Sequence, residues 1–140
     1  MRESAKCAKK GISVQLRIDY DCSKPVMLKK WKKGIWTINR VFASKRTYAP
    51  VVFIERVMKT RKGYHVYARV TLFERIAQAD RNWTVLALQR VLGSDSTRDL
   101  FDSLRIIRKE RVFNLMFDYK NGYRATFDTS ALLALKKAMM

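Results

Sequence analysis

Two stretches of the chain alternate apolar and polar side chains with a period of two. They are Val14-Gln15-Leu16-Arg17-Ile18-Asp19-Tyr20-Asp21 and the run from Tyr64 to Leu72. That period belongs to a strand with one face packed and the other turned away from the core. Val14, Leu16, Ile18 and Tyr20, with Tyr64, Val66, Ala68, Val70 and Leu72, line the packed face. Gln15, Arg17, Asp19 and Asp21, with His65, Tyr67, Arg69 and Thr71, line the other. A chain carrying both stretches needs a sheet with helices on one side.

The remaining segments supply both. Cys22-Ser23-Lys24-Pro25 ends the first strand, expected over 13–21. Lys29 to Gly34 reads as a basic loop, Ile35 to Phe42 and Val51 to Met58 as strands, and Lys59 to Gly63 as a hairpin loop. A helix is expected from Asn82 to Leu92, stopped by Gly93. Ser96-Thr97-Arg98-Asp99 resembles a capping box opening a second helix to about Lys109. On that helix Leu100, Leu104 and Ile107 form the expected packing stripe, with Arg98, Arg105 and Arg108 away from it. Val112 to Tyr119 and Tyr123 to Phe127 read as strands joined by Asn121-Gly122, a strong hairpin signal. A last helix starts at Asp128 or Thr129 and packs Leu132, Leu135 and Met139. Strands clustered ahead of helices predict an α+β domain over 13–140, its mostly antiparallel sheet covered on one face. Residues 1–12 are expected to form a loose basic arm.

Charge narrows the function. The 140 residues hold 30 Lys and Arg against 12 Asp and Glu, a net +18. Such an excess attracts polyanions, nucleic acid before anionic membrane. A hydrophobic content of 48% is too high for intrinsic disorder. Cys7 and Cys22 make neither a disulfide framework nor a zinc cluster, which suits a reducing, cytoplasmic setting. No run approaches the roughly 18 apolar residues of a membrane span, so membrane partners are not expected.

The chemistry-bearing residues lie on the uncovered strand faces. Asp19 and Asp21 leave the same side of one strand, roughly 7 Å apart along it. Like charges that close raise one pKa unless a cation intervenes, and hard carboxylate oxygens suit Mg²⁺ or Mn²⁺. His65 and Asp118 occupy the corresponding faces of two further strands. If those strands are neighbours, three carboxylates and an imidazole converge amid many cations, as phosphoryl or nucleotidyl transfer requires. Each residue also has a plain reading: solvated strand-end acids, an incidental histidine, a turn-flanking Asp. Lys29, Lys30, Lys32 and Lys33 around Trp31 suit a phosphate backbone with a base stacked on the ring. They suit equally a basic loop anchored by a core tryptophan. Arg98 and Arg105, set away from the packing stripe, are further cations for nucleic acid. One histidine is too few for a paired-His relaxase or for a zinc deaminase or protease, and no P-loop motif occurs.

Ile18-Asp19-Tyr20-Asp21, then Thr60-Arg61-Lys62-Gly63-Tyr64-His65-Val66, then Leu115-Met116-Phe117-Asp118 resemble the three motifs of the archaeo-eukaryotic primase and primase-polymerase superfamily. The motifs span about residues 19 to 118. The resemblance implies an RRM-like sheet, with Asp19, Asp21 and Asp118 holding a divalent metal as the catalytic acids. It further implies that His65 contacts the incoming nucleotide's phosphates, with Arg61, Lys62 and Arg69 as nucleotide-side cations. DNA or RNA, nucleoside triphosphates and other replication proteins are the implied partners. The chain is shorter than usual family cores and carries no zinc-binding module. Two other readings compete: a non-enzymatic binder stacking bases on Tyr67, Tyr20 and Trp31, and a metal-dependent nuclease using the same acids.

Overall fold

Strand β1, Ile12–Tyr20, buries Val14, Leu16, Ile18 and Tyr20 as its alternation requires. The structure, a computed structural model, describes residues 11–44, 50–73, 80–110, 119–120 and 122–139. Strands β2 (Val51–Lys59) and β3 (Tyr64–Leu72) form the hairpin expected around Lys59 to Gly63. Both β1 and β2 run antiparallel to β3, which lies between them. The two outer strands are therefore parallel to each other, joined by a long helix and separated by the returning strand. This is the split β-α-β arrangement of an RRM-like α+β fold.

That connecting helix, α1 (Lys24–Ser44), replaces the expected basic loop over 29–34 and strand over 35–42. Its apolar residues explain why. Met27, Trp31, Ile35 and Ile38 recur at helical spacing and all are buried in the core. Pro25 falls in the first turn, where its missing N–H costs nothing. Gly34 marks a close crossing: a Cβ there would meet the Leu92 Cα at 2.7 Å.

Helix α2 (Arg81–Val91) packs against β1 and α1, burying Val85, Leu86 and Leu88, with Leu92 just beyond its end. Gly93 follows at φ +92°, the left-handed conformation expected of a helix stop. Helix α3 (Ser96–Ile107) is capped by Asp95, whose side chain accepts from the Arg98 N–H, rather than by a box starting at Ser96. Its orientation also reverses the expectation. Arg98, Asp99 and Asp102 are buried, while Leu100, Phe101, Leu104 and Ile107 are exposed. The reason lies on β1, whose outer edge carries polar backbone groups that need partners.

Strands β4 (Tyr119–Lys120) and β5 (Tyr123–Arg124) pair antiparallel, as expected of the Asn-Gly hairpin. The rest of the strand expected over 112–119, Asp118 included, lies outside the described residues. Strand β6 (Thr126–Phe127) adds to the β2 edge. Helix α4 (Thr129–Ala138) is capped by Asp128, which accepts from the Ala131 N–H, and buries Ala131 and Leu135 against α1 and β2. The described sheet is thus antiparallel, in the order β1-β3-β2-β6, with the main core on its helical side. Among the described residues no helix is long and apolar enough to cross a membrane.

Candidate functional site

The β1–β3 register sets Asp19 directly opposite His65, on the face away from the core helices. His65 Nε2 lies 3.6 Å from Asp19 Oδ1. That distance is too long for a hydrogen bond but is an ion-pair approach when the imidazole is protonated. The two side chains are 9% and 21% exposed. Burial raises the Asp19 pKa, and the neighbouring Asp21 and Asp95 charges add to the rise, while His65 and Arg98 oppose it. Such a carboxylate gains from any cation brought to it.

Asp21 sits one residue past the end of β1 and is exposed, close enough for its charge to act on Asp19. The same sheet row continues through Met58 on β2 to Phe127 on β6. The next row places Arg17, Tyr67 and Arg56 side by side, with the Arg56 guanidinium 3.9 Å from the Tyr67 ring centroid. Arg61 and Lys62, both exposed, occupy the loop entering β3, four and three residues before His65. Gly63 ends that loop against β1. A Cβ there would lie 1.8 Å from the Tyr20 carbonyl oxygen, so the close approach needs glycine.

A polar brace holds the outer edge of β1 behind Asp19. The Arg17 N–H donates to Gln89 Oε1 at 2.9 Å, and the Asp19 N–H donates to Ser94 Oγ at 3.1 Å. The Asp95 N–H donates to the Asp19 carbonyl at 2.8 Å. Arg98 donates to the Arg17 carbonyl and to Ser94 Oγ, and its Nη2 lies 3.8 Å from Asp102 Oδ2. Arg105 donates to Asp102 Oδ1 at 3.0 Å. Burial pulls the Arg98 pKa down, and the Asp102, Asp19 and Asp99 charges oppose that shift. The α2–α3 turn thus does for this edge what a neighbouring strand does elsewhere. Gln89, Ser94 and Asp95 were not among the residues expected from sequence. The available signal was polar spacing: Arg98, Asp102 and Arg105 share one face of α3.

Other expected site residues lie elsewhere. Trp31 is fully buried in the core, and Tyr20 is buried with its hydroxyl donating to the Leu92 carbonyl, so neither ring offers a stacking surface. Tyr67 is 5% exposed, packed with Met58 and Ala125 beneath Arg56. Arg98, expected on a solvated helix face, is only 9% exposed and faces β1. Arg105 is tied to Asp102. Arg69 pairs with Glu55 at 3.1 Å, and four residues along β3 put it roughly 13 Å from His65. Lys29, Lys30, Lys32 and Lys33 are exposed on α1, on the opposite side of the sheet from Asp19. Asp118 lies outside the described residues.

The described carboxylates of Asp19 and Asp21 suit a hard divalent cation in kind, because carboxylate oxygens are what Mg²⁺ or Mn²⁺ takes. In number they fall short: among the described residues no three His, Cys, Asp or Glu side chains group to hold a metal. No protein-family model matches the chain, and no curated protein or solved structure does either.

Proposed function

We propose that the protein is a metal-dependent nucleotidyltransferase of the primase-polymerase type, acting on a nucleic-acid template with nucleoside triphosphates. The reading rests on the pairing of Asp19 with His65. These residues come from two separate motifs of the sequence, 46 positions apart, and the β1–β3 register brings them to 3.6 Å. The cationic surroundings, Arg17, Arg56, Arg61 and Lys62, support it further, since a triphosphate needs several positive neighbours.

In this reading Asp19, Asp21 and Asp118 would hold Mg²⁺ or Mn²⁺, which offsets the charge developing on the phosphate oxygens when bound. His65 holds a phosphate oxygen of the incoming nucleotide through a ring N–H, beside Asp19 at 3.6 Å. Arg61 and Lys62 receive the outer phosphates from the loop. The brace from Gln89, Ser94, Asp95 and Arg98 keeps the Asp19 backbone fixed while its side chain takes part in the chemistry.

The test is incorporation of labelled nucleotides on a single-stranded template with Mn²⁺ or Mg²⁺. Extension or dinucleotide formation by the wild type, abolished by Asp19→Asn and reduced on the order of a hundredfold by His65→Ala, is the expected result. Template binding with no incorporation under either metal overturns the proposal. Template cleavage in place of synthesis reassigns the same acids to a nuclease.

A further inference from the structure

The outward face of α1 is strongly cationic. The helix carries six cations, Lys24, Lys29, Lys30, Lys32, Lys33 and Arg40, and no acid. Neighbouring α4 adds Lys136 and Lys137, both exposed, and also holds no acid. Helical spacing puts Lys29, Lys33, Trp36 and Arg40 on one stripe, opposite the core stripe of Met27, Trp31, Ile35 and Ile38. The stripe runs roughly 16 Å along the helix axis. Trp36, at its middle, is 59% exposed, and the Arg40 guanidinium sits 5.1 Å from its ring centroid.

A basic ridge with no acid on either helix repels itself, and the exposed indole offers a flat π-surface beside it. Both features are met by one class of ligand: a polyanion that also carries flat π-surfaces. We propose that this ridge binds single-stranded nucleic acid, with a base stacked on Trp36 and phosphates tracked by Lys29, Lys32, Lys33 and Arg40. Single strands are favoured over duplex because an unpaired base has a face to offer, whereas a paired one must first be unstacked. A bilayer is the poorer match, since the apolar face of α1 is spent on the core and leaves only Val26, Trp36 and Val41 outward. A second copy of the chain brings the same positive charge.

The ridge lies on the helical side of the sheet, away from Asp19, so the inference stands apart from the nucleotidyl-transfer reading. It is tested by anisotropy of labelled single-stranded DNA and RNA, matched duplexes, and anionic vesicles. Trp36→Ala is expected to weaken single-strand binding roughly fivefold to a hundredfold, the loss of one base stack. Trp36→Tyr restores most of it, and Trp83→Ala, an exposed tryptophan on α2, leaves it unchanged. Lys29→Glu with Lys33→Glu lowers affinity and flattens its salt dependence. The inference is overturned if Trp36→Ala binds single strands as tightly as the wild type. Tighter binding to duplex or to vesicles than to either single strand overturns it as well.

Discussion

Replacing Arg98 by Met removes the keystone of the β1 brace while keeping an unbranched side chain in its place. Arg98 is 9% exposed, donates to the Arg17 carbonyl and Ser94 Oγ, and lies 3.8 Å from Asp102, which is fully buried. Met satisfies none of these groups. Taking one partner from a buried ion pair costs about 3–5 kcal/mol, mostly from the charge left behind. Arg105 still reaches Asp102 at 3.0 Å, so the loss should sit at the lower end, about 3 kcal/mol. With a urea m-value of about 2 kcal/mol/M, the midpoint should fall by about 1.5 M. Far-UV circular dichroism in urea reads this directly. Arg98→Met with Asp102→Leu should recover most of the loss, because the second change removes the orphaned carboxylate. A single-variant loss under about 1 kcal/mol, well below that range, would show that β1 does not depend on Arg98. A double variant as unstable as the sum of its parts would refute the charge argument.

Glycine substitutions should separate steric conflict from backbone strain. Gly63→Ala drives a Cβ into the Tyr20 carbonyl and should cost more than about 3 kcal/mol. Gly122→Ala, at φ +77° with open space around it, should cost only about 1–2 kcal/mol in the same denaturation assay. Tyr20→Phe keeps the buried ring but orphans the Leu92 carbonyl, and a thermal melt should report a loss of about 1–2 kcal/mol. Asp99 has its pKa raised from 3.8 to about 6, chiefly by burial. Its folded form therefore binds a proton more tightly than its unfolded form. The stability this gives is present below pH 3.8 and is lost as pH rises to about 6. Relative to Asp99→Asn, the wild type should lose stability across that window, and parallel denaturation profiles for the two would contradict the assignment.

What could be read from the residues depended on how far apart the partners lay. β1 and β3 were legible because a period of two needs no knowledge of neighbours, and β2 because Val51 to Met58 is β-branched and apolar. The Asp19–His65 meeting was legible for the same reason, since parity assigns each to a face and only the register had to agree. Helix α1 was misread because Lys29 to Gly34 imitates a loop and Ile35, Ile38 and Val41 are β-branched. Its core stripe was present but interrupted by lysines. α3 was turned the wrong way because an apolar stripe was assumed to face the core. The need it serves belongs to β1, where the Arg17 carbonyl lies 81 positions before Arg98, and nothing local announces it.

The brace also bears on how a third carboxylate could join Asp19. A ladder neighbour of β1 would need the N–H groups of Arg17 and Asp19, and Gln89 and Ser94 already hold both. An acid completing the site must therefore reach Asp19 across the open face rather than from a strand paired beside it. Asp118 and Asp21 can be told apart in that role by Mn²⁺ binding, read from the paramagnetic signal of the free ion. If Asp118 completes the set, Asp118→Asn should weaken Mn²⁺ on the order of tenfold or more, comparable to Asp19→Asn. Wild-type affinity in Asp118→Asn, with Asp19→Asn impaired, would instead remove Asp118 from the metal set.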